Sequence, residues 1–203
     1  MKNILTILLL IPLLLFSQEE IGSYELFGEE YKFEATEPDE KGEYTLYASG
    51  YASDGIVSQG GLMIKSKKID DFVISLNEAK NKYVEWTSTA KENNVNDLSK
   101  DIKSSPPSVG AYFAYSDWHF DFNVSPFYKY LITKSDKTGK ISYCLALYTG
   151  DLESSDNQYI DADSFIYAFY SLEEIESFIS LFDKQLVLDK FNIKNNKEDL
   201  FKD

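Results

Sequence analysis

Residues 69–94 read IDDFVISLNEAKNKYVEWTSTAKENN, the longest periodic stretch in the chain. Apolar or small residues fall at Phe72, Leu76, Ala79, Tyr83, Trp86 and Ala90. The steps alternate between four and three, which places all six on one stripe of a helix. Ser75, Glu78, Lys82, Glu85 and Thr89 occupy the other face. Asp70 or Asp71 is expected to cap the start, Glu78 to pair with Lys82, and Asn93–Asn94 to end the helix. Such a helix is a rod of roughly 36 Å. Each large apolar side chain on it is worth ~1.5–3 kcal/mol when buried, so the stripe must dock. Under three heptads is short for a coiled coil. A sheet of the same domain is therefore the expected partner.

On either side of this helix the sequence reads as strands. Alternation runs through Tyr24 and Leu26, then Tyr31, Phe33 and Ala35, with a hairpin or bulge at Gly28–Glu29. A polar turn, residues 36–42, leads to a strand at 43–51. Asp54–Gly55 is a two-residue hairpin dipeptide. The next strand, 56–67, contains Gly60–Gly61, expected to be a bulge. Residues 96–110 are polar and hold Ser104–Ser105–Pro106–Pro107, a linker or a long surface loop. Strands are then expected at 111–123, 127–133, 140–148 and 164–170. Ser171 with Glu174 forms a capping box for a second helix, whose apolar face is Ile175, Phe178, Ile179, Phe182 and Leu186.

The fold class this predicts is α+β: mainly antiparallel sheet packed by two long helices, at about 70–94 and 172–188, both on one face. The pattern from Leu62 to Tyr83 recurs from Phe165 to Leu186, apolar for apolar and acid for acid without identity, so a duplicated strands-then-helix unit is a further expectation. The organisation read from the sequence is a signal peptide at 1–17, one α+β domain at 18–188 with internal halves 18–95 and 110–188, and a charged tail at 189–203.

The assignment of 1–17 rests on Lys2 followed by an apolar run from Ile4 to Phe16. That run is too short to span a bilayer but suits a cleavable leader, with Gln18 first in the mature chain. No later segment is apolar enough to cross a membrane. The expected location is the periplasm or the exterior.

Apolar residues make up 43% of the chain and aromatics 15%, enough for a core and against disorder. Every basic residue is Lys. Without the leader, nineteen lysines face 34 acids, a net charge of −15. Nucleic acid would be repelled, and the arginine readers of phosphate and guanine are absent. The acidic surface favours a basic protein or peptide as partner, and the aromatic content adds a saccharide. Cys144 is the only cysteine, so no internal disulfide forms. It lies in an apolar strand with no basic neighbour, which reads as a buried thiol.

Three clusters are candidate sites. Asp117, His119 and Asp121 alternate in DWHFDF, and His119 is the only histidine. The row is suited to orienting an imidazole for acid–base work or to holding a cation. Its simpler reading is the polar face of a strand, because alternate residues stand ~7 Å apart. Asp151, Glu153, Asp156, Asp161 and Asp163 form an acidic loop that departs from the EF-hand pattern. A solvated loop is its simpler reading. Tyr112, Tyr115, Trp118, Tyr128 and Tyr130 belong to a dense aromatic stretch that cannot all face inward, and they are the candidate binding residues. Nucleophile elbows, phosphate-binding loops and dinucleotide turns are absent, and no cofactor is implied. The leading functional reading is an exported, acidic, non-enzymatic binding module. The alternatives are an enzyme or metal-dependent protein using His119, and an envelope component assembling through its long helix.

Overall fold

The computed structural model describes residues 18–53, 57, 59–104 and 106–191. The segment 1–17 expected to be a leader, the Asp54–Gly55 dipeptide, Ser105 and most of the charged tail lie outside these. The described chain is mixed α+β with antiparallel pairing throughout.

The first sheet has six strands in the order β1 (Gln18–Leu26), β2 (Glu29–Thr36), β3 (Thr45–Ser49), β5 (Gln59–Lys65), β7 (Val109–Ala114) and β8 (Trp118–Val124). The second has five: β4 (Tyr51–Ala52), β13 (Phe165–Phe169), β10 (Ile141–Tyr148), β9 (Phe127–Lys134) and β6 (Leu98–Ile102). A two-stranded ribbon pairs β11 (Leu152–Glu153) with β12 (Asp161–Ala162).

Helix α1 spans Ile69–Glu92, close to expectation, and Asn94 leaves it in the left-handed region (φ 55°). Its cap differs. Lys68 is the N-cap with no side-chain bond, while Asp70 and Asp71 sit in the first turn and act only through the dipole. Lys82 pairs with Glu85, not Glu78, and Glu78 accepts from Ser104 Oγ. Ser75, expected outside, is buried because its hydroxyl bonds to Phe72 O and to Tyr128 Oη. The stripe docks on the five-stranded sheet: Tyr83 and Trp86 meet the Tyr130 ring edge-on.

The second long helix is in fact two short ones, α2 (Leu172–Ser180) and α3 (Lys184–Lys190). Asp183 breaks it by taking an extended backbone and capping α3 through a bond from Gln185 N–H. The break turns Phe182 inward against Phe33 and Phe72. Ser171 caps α2 by accepting from Glu174 N–H as expected, while the Glu174 carboxylate reaches one residue past the N-cap and accepts from Tyr170 N–H. Of the two units compared for duplication, β5 lies inside the six-stranded sheet and feeds a helix of 24 residues, while β13 lies in the other sheet and feeds one of 9.

The two sheets share one buried cluster. Phe178 of α2 stands at its centre, touching Tyr24 on β1, Phe33 on β2 and Tyr167 and Phe169 on β13. Where the sheets meet, the fully buried Tyr167 crosses over. Its hydroxyl accepts from Leu62 N–H at 2.9 Å and donates to Ala48 O at 2.6 Å. Gly60 makes the approach possible, since a Cβ there would lie 2.2 Å from Phe165 Cζ. The Gly60–Gly61 pair therefore marks close packing, not a bulge, and the β3–β5 register is unbroken.

Other expected boundaries shift for local reasons. The strand expected at 43–51 divides at Gly50, where the chain leaves one sheet for the other. The polar segment 96–110 contains the edge strand β6. The strand expected at 111–123 is a hairpin that turns at Tyr115–Asp117. Phe27–Gly28 closes the first hairpin with φ of 56° and 84°.

Candidate binding face on the six-stranded sheet

The described helices pack into the buried cluster that the two sheets share. On the outward face of the six-stranded sheet the register aligns Glu34, Tyr47 and Met63 in one row across β2, β3 and β5. The next row is Ser49, Gly61, Tyr112 and Phe120 across β3, β5, β7 and β8. Gln59, Ala114 and Trp118 form a third. Alternation along β8 then puts Trp118 and Phe120 on this face, and Phe122, at the bulge where the β7–β8 register shifts, stacks on Phe120 and lines a hollow with Met63. Trp118 and Phe122 are 52% and 61% exposed, high values for residues that normally bury.

Tyr112 is the support of this face. It is buried, bonds through its hydroxyl to Ser49 Oγ at 3.1 Å, and meets Tyr47 edge-on and Trp118 with ring centroids 5.7 Å apart. Burial pushes its phenol well above the ordinary value, so it stays neutral, against a smaller opposing effect of the Ser49 bond. Trp118 thus rests on a fixed ring. Beside it runs a groove of about 390 Å³, with Gln18, Glu30, Lys32, Glu34 and Gln59 along its walls. Burial raises the Glu34 carboxyl above its usual value; Lys32 opposes the shift and Glu20 adds to it. The groove therefore combines one exposed indole with amide, carboxylate and ammonium groups at short range.

Of the five candidate binding residues, the structure brings only Tyr112 and Trp118 together. Tyr115 lies at the β7–β8 turn, where its hydroxyl donates to Asp161 O and ties down the acidic loop. Tyr128 and Tyr130 are corrected to core residues. Both have no exposed surface, because the inward face of β9 packs under α1. Tyr47, Glu34 and Gln18 were not singled out from the sequence. Alternation in β3 sets Tyr47 opposite Leu46 and Ala48, which signals its outward direction, but its neighbours on β2 and β7 follow only from the register.

Asp117, His119 and Asp121 have separate surroundings and, among the described residues, belong to no metal-holding group. Asp117 falls in the turn before β8. His119 packs against the rings of Phe113 and Tyr115. Asp121 accepts from Asn123 and Glu153 N–H and anchors the ribbon. Residues 151–163 lie along the free edge of β8, where Ser155 donates its N–H to Phe120 O. Covering that edge gives the loop a structural role. Among the described residues no group of three or more His, Cys, Asp or Glu is placed to hold a metal ion, and the acids Asp151, Glu153, Asp156, Asp161 and Asp163 do not converge into one. Burial pushes the Cys144 thiol up to about 12, so it remains a thiol and not a nucleophile. The α1 stripe proposed for assembly is occupied by the chain's own core, with Trp86 against Tyr130.

No protein-family model, no curated protein and no solved structure matches this chain. Among the described residues no helix is long and apolar enough to cross a membrane.

Proposed function

We propose that this protein is an exported, non-enzymatic binding module that holds a saccharide against the open face of its six-stranded sheet. The observation that carries this reading is Trp118, half exposed, resting on Tyr112 beside a groove of mixed polar groups. An indole face takes the C–H face of a pyranose, while amides and carboxylates such as Gln18, Gln59, Glu30 and Glu34 bond its hydroxyls. A basic peptide fits the groove less well, because Lys32 stands between the acids. The leader-like first residues support export.

The test is a glycan array probed with the chain beginning at Gln18, beside its Trp118→Ala variant. The reading predicts retention on a restricted set of glycans that the variant loses. Retention by both proteins alike, or by neither, contradicts it.

A further inference from the structure

With no wall residue in common with the Trp118 groove, a cavity of about 480 Å³ lies between helix α1 and the edge strand β6. That is within the range of small-molecule sites. Its walls include the Trp86 indole, which Tyr130 fixes edge-on from the core side, and the buried Ile102. Lys82, Lys100 and Lys103 also line it, which is a local excess of lysine in a strongly acidic chain. Lysine stems add apolar wall while their ammonium groups stay at the rim.

The charges sort themselves by partner. Lys82 is neutralised by Glu85 at 2.7 Å. Glu78, an acid on the wall, accepts a bond from Ser104 Oγ at 2.7 Å. Asp101 turns to Lys129 at 4.0 Å. Lys100 holds its ammonium 4.1 Å from the centre of the Trp86 ring, and neither it nor Lys103 makes an ion pair among the described residues. Two of the three lysines on the wall thus have no carboxylate partner among the described residues, while the one wall acid without a cation partner there, Glu78, is held by Ser104.

We propose that this cavity binds a small amphipathic carboxylate. The carboxylate sits between the ammonium groups of Lys100 and Lys103, and the apolar body lies along Trp86 and Ile102. A neutral ligand leaves the ammonium groups no better satisfied than water does. The site is separate from the Trp118 groove and does not depend on the saccharide reading.

The experiment is calorimetric titration of the chain from Gln18 with 2-naphthoate, and with 2-naphthamide as the neutral isostere. One saturable site is expected at ligand concentrations up to about 5 mM. Losing the charge-assisted bonds, in 2-naphthamide or in a Lys100→Gln/Lys103→Gln variant, should weaken binding about tenfold or more. Both substitutions are at exposed positions, so a thermal melt close to that of the parent checks that the variant is folded. Trp118→Ala should leave naphthoate binding unchanged. Absence of saturation, equal binding of the amide, or an unaffected double variant overturns the proposal.

Discussion

Replacing Tyr167 by phenylalanine removes one oxygen atom from the place where the two sheets meet. That oxygen bridges Leu62 N–H and Ala48 O, which belong to facing residues of β3 and β5. Tyr167 has no exposed surface, so water cannot replace the hydroxyl without opening the core. Burial also holds its phenol well above the ordinary value, so the proton it donates to Ala48 is retained. The substitution strands one buried donor and one buried acceptor, each costing ~1–3 kcal/mol, for a loss of about 2–6 kcal/mol. With a urea slope near ~2 kcal/mol/M, the midpoint of unfolding should fall by about 1–3 M at unchanged slope. Tyr128→Phe is the internal comparison. Tyr128 is equally buried, but Ser75 keeps its bond to Phe72 O, so about 1 kcal/mol is expected. Equilibrium urea denaturation followed by circular dichroism measures both. If Tyr167→Phe shifts the midpoint no further than Tyr128→Phe, the hydroxyl does not hold the sheets together and the reasoning fails.

Two further predictions concern packing and charge. Gly60→Ala would place a Cβ 2.2 Å from Phe165 Cζ and 2.5 Å from Tyr112 O, so β13 must move. A loss of ~1–3 kcal/mol or more is expected by thermal melting, and an unchanged melting temperature would refute the close approach. Glu34 has a carboxyl raised in the folded state, so its favourable contribution is complete below the ordinary value of 4.5 and is lost as pH rises through the folded value. Glu34→Gln should therefore melt higher than the parent at neutral pH and converge with it well below pH 4.5. A gap that does not vary with pH would contradict the burial of this carboxyl.

Most of the fold was legible where one residue pattern faced one environment. The α1 stripe meets a single buried surface, so its period survived, and Phe27–Gly28 and Gly139 mark turns that the sequence supports with glycine. The errors arose where tertiary contacts overrode the local pattern. LSKDI of β6 looks like a loop because an edge strand with one outer face tolerates polar residues. The aromatic run from Tyr112 to Phe122 hid the turn at Tyr115–Asp117, and with it which way each ring points. The second helix divides because Phe182 has to reach Phe33 and Phe72, a demand set by residues over a hundred positions away. For the same reason Trp118 was recognisable as a candidate, whereas its companions Tyr47 and Glu34 depend on strand order. Tyr128 and Tyr130 look identical to surface tyrosines until α1 is laid over them.

The central claim is that the Trp118 face is where this protein meets its ligand. The most direct measurement is calorimetric titration of an array-selected glycan into the parent, Trp118→Ala and Tyr159→Ala. Tyr159 is the control because it is 86% exposed yet lies outside the groove. The account predicts at least about tenfold weaker binding for Trp118→Ala and no change for Tyr159→Ala. Equal affinity of the parent and Trp118→Ala would contradict it.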